Sequence, residues 1–234
     1  MKAMVLAAGR GTRLSPLTDA RPKALVEIGG VTLIEHVLRR LAGAGVTEAI
    51  VNLHHFGEQI PPYLEKHGLF GLKRIAYSEE PELLDTGGGL KKAAWFFDDG
   101  RPFLVHNADV LSDIDLGALM SAHVQSGTLA TLAAKPRPTA RPLFFDAGGR
   151  LVGRRSAGKG DEFARAPEGE CISAGFCGIQ AVSPRIFDLM TETGAFPIIA
   201  CYLRLSSVGE KILAHRVDAA KWRDCGRLED LRPL

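Results

Sequence analysis

The sequence predicts an α/β fold in which a doubly wound, mostly parallel sheet is covered by helices on both sides. Short apolar strands alternate with amphipathic helices through residues 1–125, and a glycine-rich loop follows the first strand. Strands that are apolar on both faces are typical of parallel sheets buried between helices. Such sheets bind ligands at the carboxyl ends of their strands, where we expect this loop to lie.

Hydrophobic periodicity predicts the elements of the first half in order. A strand is predicted at residues 3–8 and a helix at 32–42, where apolar residues recur at helical spacing. Further strands are predicted at 48–53, 74–77 and 102–106, with helices at 58–66 and 89–97. Repeated strand–helix units of this kind indicate parallel crossover connections.

The pattern changes after residue 126, where short strands replace the strand–helix repeats. Strands are predicted at 129–134, 143–145, 151–152, 172–181 and 211–216, helices at 184–191 and 196–205, and a short final helix after 222–225. The turn at 146–149 reads Asp-Ala-Gly-Gly, which is typical of a hairpin, so β-hairpin elements are expected within the sheet. Residues 154–170 are charged and glycine-rich, and we expect them to form a surface excursion.

Composition restricts the class of protein. The 234 residues carry 29 Lys and Arg against 27 Asp and Glu, and this net charge of +2 is too balanced to indicate a nucleic-acid partner. No apolar run approaches a membrane span, and the first strand begins too early to leave room for a signal peptide. The four cysteines lack metal-ligand spacing. We therefore expect a soluble, cytoplasmic protein that binds neither nucleic acid nor a membrane, and the composition leaves its oligomeric state open.

The loop at residues 9–18 has the chemistry of a phosphate-binding site. Its glycines let backbone N–H groups approach an anion, while Arg13 and the nearby Lys23 supply positive charge. The loop lacks the Gly-Lys-Ser/Thr of a P-loop, and Leu14 and Pro16 break the pattern of a dinucleotide fingerprint. The sequence therefore favours a triphosphate ligand over the dinucleotide of an oxidoreductase.

Two aspartates are candidates for a shared metal ion beside this loop. Asp109 follows the strand at 102–106, and Asp224 lies before the final helix. Acids at two strand ends can meet around one ion, and Mg²⁺ is usually held by one or two carboxylates together with substrate phosphates. A helix-flanking or capping role is the alternative for each. Asp113 and Asp115 are expected to cap the helix that begins near Leu116.

These motifs resemble the signature of the sugar-1-phosphate nucleotidylyltransferases. Residues 6–14 and 22–25 are similar to the family's Gly-Xaa-Gly-Thr-Arg and Pro-Lys-Pro pattern, with Ala24 at the second proline. Asp109 resembles the first Mg²⁺ aspartate of the family and Asp224 the second, although Arg227 replaces the usual threonine. In size and detail the chain resembles the short bacterial uridylyltransferases that make UDP-N-acetylmuramic acid, and then the mannose-1-phosphate guanylyltransferases.

The resemblance implies a Rossmann-like, GT-A-like fold of the nucleotide-diphospho-sugar transferase type. It implies one domain over residues 1–234, with a nucleotide-binding half at about 1–125 and a sugar-binding half at about 126–234. The implied reaction is Mg²⁺-dependent, with UTP and N-acetylmuramic acid 1-phosphate as the best substrate pair. The alternatives are GTP with mannose 1-phosphate, or a non-catalytic, sugar-nucleotide-sensing subunit of the same fold.

The resemblance also implies roles for individual residues. Arg13 and Lys23 are the expected catalytic residues, the first on the leaving pyrophosphate and the second between the phosphates of both substrates. Asp109 and Asp224 are the expected metal ligands, and Lys23, Asp109 and Gly175 the expected sugar-phosphate contacts; Gly175 interrupts a strand, as glycine does where a ligand approaches. The expected nucleotide contacts are Leu6, Ala7, Ala8, Gly9, Gly11, Thr12, Arg13, Asn52, Thr86, Gly87 and Asn107.

A triple glycine is expected beside the nucleotide base. The stretch Thr86-Gly87-Gly88-Gly89 is predicted to precede a helix at Leu90, where its bare backbone would let a planar base lie against it. It resembles the Thr-Gly-Gly-Gly segment of the family. A flexible turn at the helix entry is the alternative interpretation.

Overall fold

The structure is a computed structural model that describes residues 1–156, 158 and 160–231. Its strands are β1 (Lys2–Leu6), β2 (Glu27–Ile28), β3 (Val31–Thr32), β4 (Glu48–Leu53), β5 (Arg74–Glu79), β6 (Phe103–Asn107), β7 (Val110–Ser112), β8 (Ala130–Lys135), β9 (Leu143–Phe145), β10 (Leu151–Ser156), β11 (Gly160–Phe163), β12 (Ile172–Val182), β13 (Ile212–Arg216) and β14 (Trp222–Asp224). Its helices are α1 (Leu33–Gly43), α2 (Ile60–His67), α3 (Asp85–Lys92), α4 (Leu116–Ser126), α5 (Ile186–Leu189) and α6 (Ile198–Ser207), with 3₁₀ turns at Thr12–Leu14, Lys23–Leu25, Gly57–Gln59, Ala94–Phe96 and Leu228–Asp230. In the part of the chain so described, no helix combines the length and apolarity needed to cross a bilayer.

One large sheet organises the chain, and its centre is parallel. Its strand order is β11-β10-β9-β12-β6-β1-β4-β5, with β8 paired to β12 and β13 paired to β8. β6, β1, β4 and β5 run in the same direction. β12 is antiparallel to β6, β8 and β9. The predicted turn at 146–149 joins β9 and β10 as a hairpin. The predicted α/β fold with inserted hairpin elements is confirmed.

Alternation along β1 explains why helices cover both faces of the sheet. Ala3 and Val5 pack in one apolar cluster with residues of α1, α2 and α4. Met4 points the other way, into a cluster that includes residues of α3, α5 and α6. All three side chains are fully buried, and a strand buried on both faces is what a doubly wound sheet requires.

The carboxyl ends of the central strands meet at one edge of the sheet. β1, β4, β5 and β6 end there because parallel strands share a direction. β8 ends at the same edge because β12 is antiparallel to both β6 and β8. This carboxyl edge therefore collects the loop after β1, the asparagines that end or nearly end β4 and β6, and the segment that follows Lys135.

A two-stranded ribbon of β7 and β14 joins the carboxyl edge to the loop after β1. Asp224 pairs with Val110 in this ribbon, so it lies beside the chain that carries Asp109. A small apolar cluster contains Leu14 of the loop together with Leu111 and Cys225 of the ribbon region. Leu14 is fully buried, so the leucine that breaks the dinucleotide fingerprint anchors the loop to the ribbon.

The first part of the segment expected to be a surface excursion forms a strand pair at the end of the sheet, and most of the described residues in 154–170 are exposed. β10 continues to Ser156 and pairs in antiparallel register with β11. Residues 157 and 159 of the expected excursion lie outside the described residues. Ion pairs across the hairpin join Arg154 to Glu162 at 3.0 Å and Arg155 to Asp161 at 2.6 Å. Such cross-strand charge pairs replace the apolar alternation that marks a strand in the sequence.

Two local expectations near helix starts need correction. α3 begins at Asp85, so the three glycines lie inside its first turns and do not precede a helix at Leu90. Asp115 caps α4 as predicted, because its side chain accepts a hydrogen bond from Ala118 N at 2.8 Å. Asp113 does not cap that helix; its carboxylate accepts a bond from Lys221 N at 2.7 Å and so ties the ribbon to the start of α4.

Candidate active site

The loop after β1 turns back onto Lys23 at Gly11. Gly11 has a φ of 66°, in the left-handed region that favours glycine. A methyl group at this position would lie 3.0 Å from Cβ of Lys23 and 3.0 Å from Cγ2 of Thr18, so the turn also requires a residue without a side chain. Thr18 Oγ1 donates a hydrogen bond to the Gly11 carbonyl at 2.9 Å. The loop is therefore held in a fixed curve around the lysine.

Lys23 and Asp109 form an ion pair at the centre of the carboxyl edge. Lys23 is only 8% exposed, and its Nζ contacts Oδ2 of Asp109. The main chain of Asp109 is held as well, because its carbonyl accepts a hydrogen bond from Cys225 N at 2.7 Å. A nearly buried lysine requires such a partner. The pair places one fixed positive and one fixed negative charge where a phosphate or a cation can reach them.

Arg13, Lys23 and Asp224 converge around Gly226. A methyl group on Gly226 would lie 2.6 Å from Oδ1 of Asp224, 2.8 Å from Nη2 of Arg13 and 3.3 Å from Nζ of Lys23. Asp224 Oδ1 also accepts a hydrogen bond from Gly226 N at 2.8 Å. The fold therefore brings together both expected catalytic residues and both expected metal ligands, from four separate parts of the sequence.

A cavity of about 490 Å³ adjoins these charges. Its size is that of a pocket for a small organic ligand. Nine of the sequence-predicted site residues line it: Leu6, Ala7, Ala8, Gly9, Lys23, Asn52, Thr86, Asn107 and Asp109. The other predicted residues, Gly11, Thr12, Arg13, Gly87, Gly175 and Asp224, lie outside its lining.

Asn52 connects the floor of this cavity to a residue that the sequence analysis did not single out. Its Oδ1 accepts a hydrogen bond from Ala7 N at 2.6 Å, and its Nδ2 donates to Glu80 Oε1 at 2.7 Å. Glu80 Oε2 accepts a bond from Leu84 N at 3.0 Å. Glu80 is 3% exposed, so its carboxylate is buried among these donors. The network fixes the loop after β1 relative to the start of α3.

The triple glycine serves the packing of α3 against α6. A methyl group on Gly87 would lie 2.4 Å from the ring of Phe196, and Gly87 N donates to the Phe196 carbonyl at 2.8 Å. Thr86 Oγ1 accepts a hydrogen bond from Ile198 N at 3.0 Å, at the start of α6. These contacts explain why glycine occurs within a helix. A nucleotide contact of Thr86 and Gly87 stays a prediction.

Gly175 lies against an arginine that the sequence analysis also did not single out. A methyl group on Gly175 would lie 2.6 Å from Nε of Arg137, and Arg137 Nη2 donates to the Phe176 carbonyl at 2.9 Å. The close approach of the Arg137 side chain therefore explains why glycine occurs at position 175. A direct sugar contact of Gly175 stays a prediction.

Titratable groups beside the site are held neutral at physiological pH. Burial raises the pKa of the Cys225 thiol to about 11. Burial lowers the pKa of His106, the residue before Asn107, to about 4 despite its hydrogen bond to the Asn107 carbonyl. Neither group therefore supplies a thiolate or an imidazolium near neutral pH. The charges that converge beside Gly226 and at the cavity wall are those of Arg13, Lys23, Asp109 and Asp224.

The donor set fits a divalent cation that takes part of its ligands from substrate. Among the described residues no cluster of three or more His, Cys, Asp or Glu side chains could hold a metal unaided. Asp109 and Asp224 offer carboxylate oxygens, the donors that Mg²⁺ prefers, and Mg²⁺ usually combines one or two carboxylates with phosphate oxygens and water. The two side chains are suited to bind Mg²⁺, and its presence stays a prediction.

Comparison with known proteins agrees with this geometry. N-acetylmuramate alpha-1-phosphate uridylyltransferase of Neisseria meningitidis is 34% identical over 100% of this chain and 98% of its own length. Mannose-1-phosphate guanyltransferase of Yarrowia lipolytica is 32% identical over 98% of this chain, which spans 62% of that protein. The solved UDP-glucose pyrophosphorylase of Acinetobacter baumannii shares the fold, with a TM-score of 0.79 and 20% identity over 98% of this chain and 90% of that one. Residues 2–144 match the sequence family described as nucleotidyl transferase, and the chain belongs to that family.

Proposed function

We propose that this nucleotidyltransferase joins a nucleoside triphosphate to a sugar 1-phosphate and releases pyrophosphate. The observation that carries the proposal is the convergence of Arg13, Lys23, Asp109 and Asp224 beside the 490 Å³ cavity. Relatives of both the uridylyl and the guanylyl type, aligned over nearly the whole chain, support the reaction class.

The reaction needs charge and positioning more than a protein nucleophile. A phosphate oxygen of the sugar 1-phosphate forms a bond to the α-phosphorus. The bond from that phosphorus to the oxygen that bridges the α- and β-phosphates breaks, and this oxygen leaves with the pyrophosphate. Arg13 would stabilise the departing pyrophosphate, and the amides of the loop after β1 would add hydrogen-bond donors. Lys23 contacts Asp109, and its Nζ and the guanidinium of Arg13 both lie near Gly226, so the lysine would contact the phosphates of both substrates. Catalysis then comes from orientation and electrostatic stabilisation, as in phosphoryl transfer generally.

Asp109 and Asp224 are the residues that would hold Mg²⁺. When bound, the ion would neutralise charge on the reacting phosphates. Lys23 contacts Asp109 in this structure, so the lysine holds that carboxylate in place at the cavity wall.

UTP and N-acetylmuramic acid 1-phosphate are the proposed substrates. The support is the uridylyltransferase of Neisseria meningitidis, which matches this chain along 98% of its own length. GTP with mannose 1-phosphate is the second candidate, because the Yarrowia guanyltransferase aligns with 98% of this chain. With the first pair the enzyme would act in peptidoglycan recycling in the cytoplasm, where nucleoside triphosphates are held. A non-catalytic sensing role is disfavoured because the loop arginine and both aspartates are present.

The deciding experiment measures pyrophosphate release over a grid of the four nucleoside triphosphates and several sugar 1-phosphates. Each pair is assayed with Mg²⁺ and again with excess EDTA. We expect the fastest release with UTP and N-acetylmuramic acid 1-phosphate, and none with EDTA. Faster release with GTP and mannose 1-phosphate would select the second candidate, and no release from any pair would favour the sensing role.

A further inference from the structure

Arg137 is an arginine at the carboxyl edge whose place in the reaction is so far unassigned. It follows the end of β8 by two residues, and β8 ends at the same edge as β1 and β6. Its side chain is half-buried. It therefore lies on the side of the sheet where the phosphate loop and Asp109 lie, in the half of the chain expected to face the sugar.

The guanidinium of Arg137 is held in a fixed position by its neighbours. Its carbon lies 4.2 Å from the centre of the Trp222 ring, and Nη2 donates to the Phe176 carbonyl at 2.9 Å. Gly175 leaves the space that the side chain fills. Stacking on tryptophan and a backbone hydrogen bond together restrict a side chain that is otherwise flexible.

Trp222 links the guanidinium of Arg137 to the proposed catalytic residues. The indole Nε1 donates to the Cys177 carbonyl at 2.8 Å, which fixes the ring. Trp222 and Asp224 both belong to β14, and side chains two residues apart on a strand share a face about 7 Å apart. Arg137 is thereby held one side chain away from a proposed metal ligand.

Arg137 has no carboxylate partner within ion-pair distance among the described residues, whereas several arginines of the same half do: Arg150, Arg154, Arg155, Arg165, Arg185, Arg204 and Arg216. Its Nε is also buried with no hydrogen-bond acceptor. A fixed arginine whose charge no side chain neutralises can take an anionic group from a ligand.

We propose that Arg137 binds the carboxylate of the sugar substrate and so selects for an acidic sugar 1-phosphate. This inference rests on the proposed function. N-acetylmuramic acid carries a lactyl ether with a carboxylate on O3 of the ring, several bonds from the phosphate at C1. N-acetylglucosamine and mannose lack that carboxylate. Arg137 thus sets the preference for the sugar, while the loop after β1, Lys23 and the two aspartates act on the phosphates.

The test compares the wild-type enzyme with R137M, a variant that keeps much of the side-chain volume and removes the charge. kcat/KM is measured by pyrophosphate release for N-acetylmuramic acid 1-phosphate, its lactyl methyl ester and N-acetylglucosamine 1-phosphate. Arg101 is exposed and precedes β6, at the opposite edge of the sheet, so R101M is the matched control for loss of an arginine. Thermal unfolding and UTP binding are recorded for each protein.

We expect R137M to lower kcat/KM for N-acetylmuramic acid 1-phosphate about 30-fold or more, mainly through KM, as is typical when one partner of a charged pair is removed. The variant should then treat the acid, its ester and N-acetylglucosamine 1-phosphate alike. The wild-type enzyme should lose a similar factor with the ester, and R101M should behave as the wild type.

Other outcomes separate this inference from the proposed reaction. An equal loss with all three sugar phosphates, or no loss with any, would overturn the role of Arg137 while the reaction stands. A wild-type enzyme that prefers neutral sugar phosphates would do the same. A wild-type enzyme that releases no pyrophosphate from any pair would overturn the reaction itself, and the role of Arg137 with it.

Discussion

The carboxyl edge of the sheet and the hairpin of β10 and β11 hold their charged side chains in different ways. In the first half, Lys23 is 8% exposed and pairs with Asp109 at the carboxyl edge, where Arg13 adjoins it. In the second half, pairs such as Arg155 with Asp161 lie on an exposed hairpin, with the arginine side chain 54% exposed. Exposed pairs contribute about 0–1 kcal/mol to stability because water and salt screen them. The difference indicates that the charges collected at the carboxyl edge are suited to chemistry, whereas the pairs on the hairpin serve the surface.

The comparison is tested first by removing one arginine from each half. R13A should lower kcat by at least about 100-fold, the effect of losing one preorganised group that stabilises developing charge. R155A should leave kcat unchanged, because its pair lies on the hairpin. Steady-state pyrophosphate release measures both, and near-normal turnover by R13A would show that the arginine does not stabilise the leaving group.

A methyl group at the convergence point should have nearly as large an effect. G226A would place Cβ 2.6 Å from Asp224 Oδ1 and 2.8 Å from Arg13 Nη2, so these groups must shift. Misplacement of catalytic groups by about 1 Å costs about 100-fold in rate. G43A is the control, because a methyl group there meets nothing within 4 Å and Gly43 ends α1. Full activity in G226A would contradict the proposed geometry.

Stability should fall in mild acid because buried histidines resist protonation. His123 is 2% exposed, bonds to Thr131 Oγ1 at 2.9 Å, and has its pKa lowered by burial from 6.5 to about 4. The unfolded chain therefore binds the extra proton first, and stability present above pH 6.5 is lost as the pH falls toward 4. At pH 5 the loss from His123 is about 2 kcal/mol.

Urea unfolding of the wild type, H123Q and the exposed control H67Q at pH 7.5 and pH 5 measures this effect. H123Q should lose part of the pH dependence, whereas H67Q should keep all of it. An identical pH dependence in H123Q and the wild type would show that His123 titrates normally in the folded state.

The smallest effect is expected at the buried network that positions the loop after β1. E80Q keeps one acceptor but puts an amide N–H₂ beside Asn52 Nδ2 or Leu84 N, so one donor loses its partner. We expect KM for the nucleoside triphosphate to rise about tenfold and stability to fall by about 2 kcal/mol, as for an unsatisfied buried polar group. E82Q, at an exposed position, is the control. A KM unchanged in E80Q would limit Glu80 to a purely structural role.

Much of the fold could be predicted from sequence because its signals are local. The strand at Glu48–Leu53 and the capping of α4 by Asp115 follow from periodicity and from the short reach of a capping side chain. The strand pair within residues 154–170 was not predicted, and the reason is local as well, because cross-strand ion pairs leave no apolar alternation to detect. Hydrophobic periodicity identifies only the face of a helix or strand that packs against the core.

The candidate site divides in the same way. The sequence by itself identified the loop after β1, Arg13, Lys23 and the two aspartates as candidates, because residue type and position near strand ends already restrict their chemistry. Only the tertiary structure decided the environment of Gly226, the burial of Glu80 against Asn52 and the stacking of Arg137 on Trp222. Each of these depends on side chains distant in the sequence that meet through strand order and register, and no short stretch of the chain encodes that meeting.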